Sequence, residues 1–173
     1  MYKLVVSETR YGAILHASHL LDNRSAVITL SDGMEEDNIF NLYRKALEIQ
    51  KKFEVEKAYK KFGIRQLYCF NQNIHKPDYQ FILIKLQLML TVTPYTHLCF
   101  PEDNRTLANI CEELIGAKDR IIYLRAPTYK SLTYTLNDEE VEKKLSAIER
   151  MVTVRSKLLS HNNFREEYIK RIV

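Results

Sequence analysis

Four glycines and three cysteines in 173 residues leave several chemistries without their parts. A phosphate-cradling loop needs clustered glycines so that backbone N–H groups can close on the anion. The four here stand apart, at positions 12, 33, 63 and 116. No Gly-x-Ser-x-Gly elbow presents a serine nucleophile. Cys69, Cys99 and Cys111 are odd in number, lack CxxC spacing and sit in apolar sequence, so reduced core thiols of a cytoplasmic protein are expected. Long hydrophobic runs are also missing. The greasiest stretch, "FILIKLQLMLTV", holds Lys85 and Gln87 and is too short to span a bilayer. The first residues do not read as a secretory signal. No linker, repeat or low-complexity tract divides the chain, so a single domain over 1–173 is expected.

What is present is a soluble composition, 46% hydrophobic and 28% charged, enough to bury a core. The net charge of +4 is uneven: Arg44 to Arg65 carries eight Lys/Arg against three Glu. Acidic stretches at Asp32–Asp37 and Asp138–Glu142 oppose it. A nucleic-acid binder gathers its cations on one face among aromatics. Here the lysines surround an expected apolar stripe of Leu42, Ala46, Ile49 and Phe53, which reads as a solvated helix. Nucleic acid is therefore not an expected partner, and a nucleic-acid role for 44–65 is the weakest functional reading.

Periodicity predicts alternating strands and helices. "YKLVV", "SAVITL", "RQLYCF", "THLCF" and "RIIYL" read as strands. "GAILHASHLL", residues 35–62 with an irregular start at Met34–Phe40, "FILIKLQLML", "NRTLANICEELIG" and a long "NDEEVEKKLSAIERMVTVRSKLL" read as helices. The expected fold is α/β, a Rossmann-like three-layer domain with a mostly parallel sheet of about five strands and helices on both faces. In such sheets ligands sit at the strands' carboxyl ends. That edge would gather Glu8, Thr9, Arg10 and Tyr11, then Ser31 and Asp32, then Glu102, Asp103, Asn104 and Arg105, a crevice suited to a sugar-like ligand, with arginine forks and carboxylate acceptors. Thr9, Arg10, Tyr11, Asp32, Asp103, Asn104 and Arg105 are the candidate ligand-binding residues. The plainer reading makes Thr9 and Asn104 helix caps, and Arg10–Glu8 and Arg105–Asp103 surface pairs. His16 and His19, three apart, could in principle hold a divalent ion, but no carboxylate partner is evident. His97 reads as a hydrogen-bonded core residue.

Several segments, in order, resemble the LmbE/PIG-L family of zinc-dependent deacetylases, which act on N-acetylglucosamine-type groups. "AVITLSDG" is similar to the family's strand ending Thr-Leu-Thr-Asp-Gly. "KKFEVEKAYKKFGI" resembles its Arg-x-x-Glu-x-x-x-Ala helix closing on Leu-Gly-Val/Ile, with Lys51, Glu54, Ala58, Gly63 and Ile64 in place. "TPYTHLCFPEDNR" and "YTLNDEEVEKKLSAIERMVTVRS" look like the next strand with its loop and the closing segment. The resemblance implies a zinc site built from His-Pro-Asp-Asp and His-Pro-Asp-His, with a base and three ligands. On an ungapped alignment Thr9 stands for the first ligand, Tyr11 for the base, Gly12 for the ligating Asp and Asn104 for the final His; Asp103 is kept. The expectation is therefore a non-catalytic relative without zinc or any other cofactor. It would bind a sugar-like or nucleotide-sugar ligand or a protein partner, as a homo- or hetero-oligomer. The alternative is an active hydrolase of N-acetylated sugar conjugates, cleaving C–N amide bonds with other ligands.

Overall fold

The computed structural model describes residues 2–31, 41–73, 76–117, 119–160 and 163–172. Asp32, the acidic stretch around it, the expected irregular helix start, His75 and His161 lie outside the described residues. Along the chain run β1 (Lys3–Ser7), α1 (Gly12–His16), a short 3-10 turn (Ser18–Leu20), β2 (Ser25–Thr29), α2 (Asn41–Lys60), β3 (Gln66–Cys69), α3 (Tyr79–Val92), β4 (His97–Pro101), α4 (Arg105–Glu113), β5 (Asp119–Leu124), β6 (Leu132–Thr135), α5 (Asp138–Arg150), α6 (Arg155–Leu159) and β7 (Glu166–Ile172).

The strands form one sheet in the order β3-β2-β1-β4-β5-β7-β6. The five strands expected from sequence are mutually parallel, and β7 and β6 extend the sheet antiparallel. The fold is α/β as expected, with seven strands rather than about five. β2 is buried along its whole length and β1 from Leu4 to Ser7, as parallel strands with both faces covered must be. Strand alternation assigns the two faces. Leu4, Val6, Ile28, Leu98, Phe100 and Ile122 pack with Ile82 and Leu86 of α3 and Leu107 and Cys111 of α4. Val5, Val27, Cys99, Ile121 and Tyr123 pack with Ile14, Tyr59, Ala147 and Ile148 on the other side.

Strand order reverses between β1 and β4. Their ladder spans only Lys3–Val5 against His97–Cys99. Beyond it the Tyr123 hydroxyl of β5 reaches across and donates to the Val6 carbonyl at 2.7 Å. This opening is the topological switch point, where an α/β sheet offers a crevice.

Four expectations about the elements need correction. First, α2 turns a different face to the core. Val55, Ala58, Tyr59 and Phe62 are buried, whereas Ala46, Ile49 and Phe53 are exposed, with the Lys57 ammonium 4.1 Å over the Phe53 ring. Its rotation is set by Glu54, which accepts from the Thr153 N–H (3.1 Å) and hydroxyl (2.7 Å). Second, the long closing helix breaks at Met151–Val154 into α5 and α6. The β-branched Val152-Thr153-Val154 run disfavours helix, and Thr153 spends its donors on Glu54. Third, the first helix ends at His16, because the Ser18 and His19 N–H groups donate to Glu167 at 3.0 Å each instead of continuing the helix. Fourth, only Cys99 and Cys111 are core thiols, and Cys69 is exposed. Burial pushes the Cys99 thiol up to about 12. α3 is helical as expected, with Asp78 capping it through Phe81 N–H. His97 is buried between Thr96 and Asp119.

The Tyr59 hydroxyl is sealed in the core with no hydrogen-bond partner among the described residues, and burial drives its phenol well above its usual value. An unpaired buried hydroxyl costs more than the ring edge that would replace it. Tyr59→Phe is therefore expected to raise the unfolding free energy by about 1 kcal/mol. A urea titration checks this as a higher midpoint at unchanged slope, and a lowered midpoint would refute it.

Candidate functional site

The chain leaves β1 at Ser7, and the following loop is stitched to the end of β2. Leu30 N–H donates to Ser7 O at 2.9 Å and Ser31 N–H to Glu8 O at 3.0 Å. Ser7, fully buried, shapes the turn into α1. Its hydroxyl donates to Thr9 O at 2.7 Å and accepts from Ala13 N–H at 3.1 Å. The first turn of α1 is thus capped by Ser7, not by Thr9.

Across the opening, the β4 exit brings Glu102, Asp103 and Asn104 to the same edge. Asn104 caps α4 by accepting from Leu107 N–H at 3.0 Å, and its amide donates to Glu8 at 3.4 Å. That contact sets the β1 loop beside the β4 loop, as the crevice requires. Arg125, just past β5, holds both sides. Its guanidinium lies 2.6 Å from Asp103 and 3.3 Å from Glu8. Lys170 of β7 pairs with Glu102 at 2.5 Å. Arg125 is more than half exposed, so these pairs contribute little to stability. They orient the edge and supply charge of both signs.

The expected crevice residues do not all meet there. Asp103 and Asn104 do, and Thr9 lies at the turn beside Glu8. Arg10 is instead buried, lining a separate cavity of about 550 Å³ with Thr29, Lys52, Glu56 and Cys69. Tyr11 is the residue before α1 and packs, partly buried, against the core. Arg105 is exposed on the first turn of α4. The expected Arg10–Glu8 and Arg105–Asp103 pairs give way to Arg125, which takes both carboxylates. Glu8 is one of the strand-end residues expected there, whereas Arg125 and Lys170 were missed as site residues. Applying the strand-end rule to β5 would have found Arg125, which directly follows "RIIYL". Lys170 sits on a strand that sequence alone did not reveal.

Zinc has a poor donor set at this edge. Thr9 and Tyr11 offer hydroxyls, Gly12 offers nothing, and the Asn104 amide is already used at both ends. The carboxylates of Glu8 and Asp103 are neutralised by a guanidinium. Among the described residues no three His, Cys, Asp or Glu side chains gather as metal ligands. These residues do not fit the three-ligand site that a catalytic zinc needs.

A second polar cluster lies just past the C-terminal end of α1. The Glu167 carboxylate of β7 is fully buried, and so is the Lys144 ammonium, 2.6 Å away. The same carboxylate accepts from the Ser18 hydroxyl (2.5 Å), from both backbone N–H groups already named, and from His19 Nδ1. Burial alone would raise this carboxyl, but the His19 hydrogen bond and the Lys144 charge hold it down to about 2. His19 also stacks on Tyr134, with ring centroids 4.4 Å apart. His19 thus has a carboxylate partner after all, one 148 residues away in sequence.

No protein-family model matches the sequence, and no curated protein matches it. Solved structures do. An N,N'-diacetylchitobiose deacetylase from Pyrococcus horikoshii superposes with a TM-score of 0.72 at 12% identity, over 99% of this chain and 83% of that one. A deacetylase of teicoplanin biosynthesis gives 0.70 at 10% identity, over 100% and 98%. GalB, a 4-carboxy-2-hydroxymuconate hydratase from Pseudomonas putida KT2440, gives 0.68 at 14%, over 100% and 97%. The chain has the fold of LmbE/PIG-L-type deacetylases. Two of the three are named as deacetylases and one as a hydratase. No described helix is long and apolar enough to cross a membrane.

Proposed function

We propose that the carboxyl edge of β1, β4 and β5 recognises an N-acetylated sugar conjugate, with hydrolysis of its acetamide as the reaction class. The observation that carries this reading is the gathering of Glu8, Asp103, Asn104 and Arg125 at the switch point, in a fold shared over nearly the whole chain with an N,N'-diacetylchitobiose deacetylase and a deacetylase of teicoplanin biosynthesis. The residues fit recognition. Glu8, Asp103 and Asn104 can accept from or donate to sugar hydroxyls, and Arg125 can fork onto an acetamide or phosphate oxygen once it swings from its carboxylates. A second reading, binding without turnover, is favoured by one specific observation, the donor set that does not fit zinc. Hydrolysis here would need a water-activating group other than the family's metal site.

Chitobiose provides the test. Protein purified without chelator is titrated with N,N'-diacetylchitobiose by calorimetry, assayed for zinc, and followed by proton NMR for free acetate. Saturable binding is expected, weakened at least about fivefold by Asp103→Ala, roughly the loss of one hydrogen bond to a charged group. Zinc is expected well below one per chain. Acetate above a zinc-only control establishes hydrolysis; binding without acetate establishes the second reading. No binding at millimolar ligand overturns the proposal.

A further inference from the structure

α3 is apolar on two sides. Ile82, Leu86 and Leu90, at a four-residue spacing, are buried against the sheet. Ile84, Leu88 and Val92 lie on the opposite side of the helix and are 62%, 54% and 74% exposed. Phe81 extends this outer stripe by one turn. A helix of a globular protein ordinarily buries its apolar stripe, and α3 carries a second stripe that the described residues leave exposed.

The loop after α4 completes the surface. Gln87 fixes it in both directions, donating to Ile115 O at 2.9 Å and accepting from Ile115 N–H at 3.0 Å. The Ile115 side chain is thereby held out as a knob, 77% exposed. Beside it lies a shallow, mainly apolar hollow lined by Leu83, Ile84, Gln87, Leu88, Thr91 and Glu113. Knob and hollow belong to the same face, as a two-fold contact demands, where the knob of each copy enters the hollow of the other.

We propose that this face binds a second copy of the chain, forming a two-fold dimer through α3 and the Ile115 loop. Size supports it. Phe81, Ile84, Leu88, Val92 and Ile115 together expose roughly 500 Å², in the upper half of the ~300–600 Å² of a monomer's largest apolar patch, which is often functional, and more than half of the ~800 Å² per partner of a specific interface. Charge supports it as well. The patch carries one charge of each sign, Lys85 over the Phe81 ring at 5.6 Å and Glu113 at the hollow, so a second copy meets no net repulsion. The face lies across the sheet from α1 and α2, and the inference is independent of what the crevice binds.

Sedimentation velocity of the full chain over the micromolar range tests it. The wild type is expected to shift from monomer to dimer mass with concentration. Ile84→Glu and Ile115→Glu should each weaken association at least about tenfold, as central apolar anchors do. Both positions are solvent-exposed, so unchanged far-UV circular dichroism should accompany the loss. Ile49→Glu, on the exposed side of α2, should leave the dimer intact. A monomer at every concentration overturns the proposal, as does a dimer indifferent to both substitutions. A monomer that instead sediments with neutral phospholipid vesicles also overturns it.

Discussion

Glu167→Ala is expected to lower the unfolding free energy by about 3–5 kcal/mol, the cost typical of breaking a buried ion pair from one side. The carboxylate collects donors from Lys144, His19 and Ser18, which lie on two other elements. Its removal leaves the Lys144 ammonium fully buried with no other partner among the described residues. Replacing both members, as Lys144→Met with Glu167→Leu, removes the stranded charge together with its partner and should cost far less. Guanidinium titrations of the single and double variants measure the difference; equal losses would refute the account.

The same carboxyl gives the pH dependence a sign. Its folded value of about 2 lies below the ordinary 4.5, so the folded state holds fewer protons than the unfolded state between those values. The stabilisation is present above pH 4.5 and is lost as the pH falls towards 2. The wild type should therefore lose more stability than Glu167→Ala between pH 5 and pH 2.

Gly12→Asp is expected to destabilise by about 2 kcal/mol or more and to recover no zinc. On the family alignment it restores a ligating carboxylate. A Cβ at Gly12 would stand 2.7 Å from Ser7 Oγ. The serine must rotate, giving up its bonds to Thr9 O and Ala13 N–H inside a fully buried site, and unpaired buried groups cost about 1–3 kcal/mol. In a domain of this size that is a fall of several degrees in Tm. Ser7→Ala with Gly12→Asp should lose less than the sum of the single changes, which a thermal-melt double-mutant cycle would show. Additive losses would mean that the contact with Ser7 is not the cause. With Ser7 packed against it, position 12 takes a side chain only if the serine gives way.

Local signals carried the parallel half of the fold. The apolar runs at 3–7, 25–29, 97–101 and 119–124, the cap at Asn104 and the helix over 79–92 are written in neighbouring residues, and they appear where periodicity puts them. What escaped depends on distant partners. The stop after His16 is made by Glu167, the break at 151–154 by Glu54, and the rotation of α2 by Thr153. β6, "LTYT", is exposed throughout and has no burial pattern to betray it. β7 opens with two glutamates, one exposed and one in the core, and the difference is made by Lys144, Ser18 and His19, all far away in sequence. At the site, the places of Asp103 and Asn104 at the β4 exit were legible from the strand-end rule. The arginine across Glu8 and Asp103 was not, because its three residues come from three strand ends.

The sheet order also bears on how the molecule is built. β6 precedes β7 in the chain but touches the sheet only through it. During synthesis β6 waits with no strand to join, and the Lys144 side chain has no anion to enter the core with. The arrival of residues 166–172 settles both at once. Acquisition of this flank is thus a single non-local closure, slow as such closures are, and until it happens the parallel strands present β5 as an open edge to any neighbouring chain.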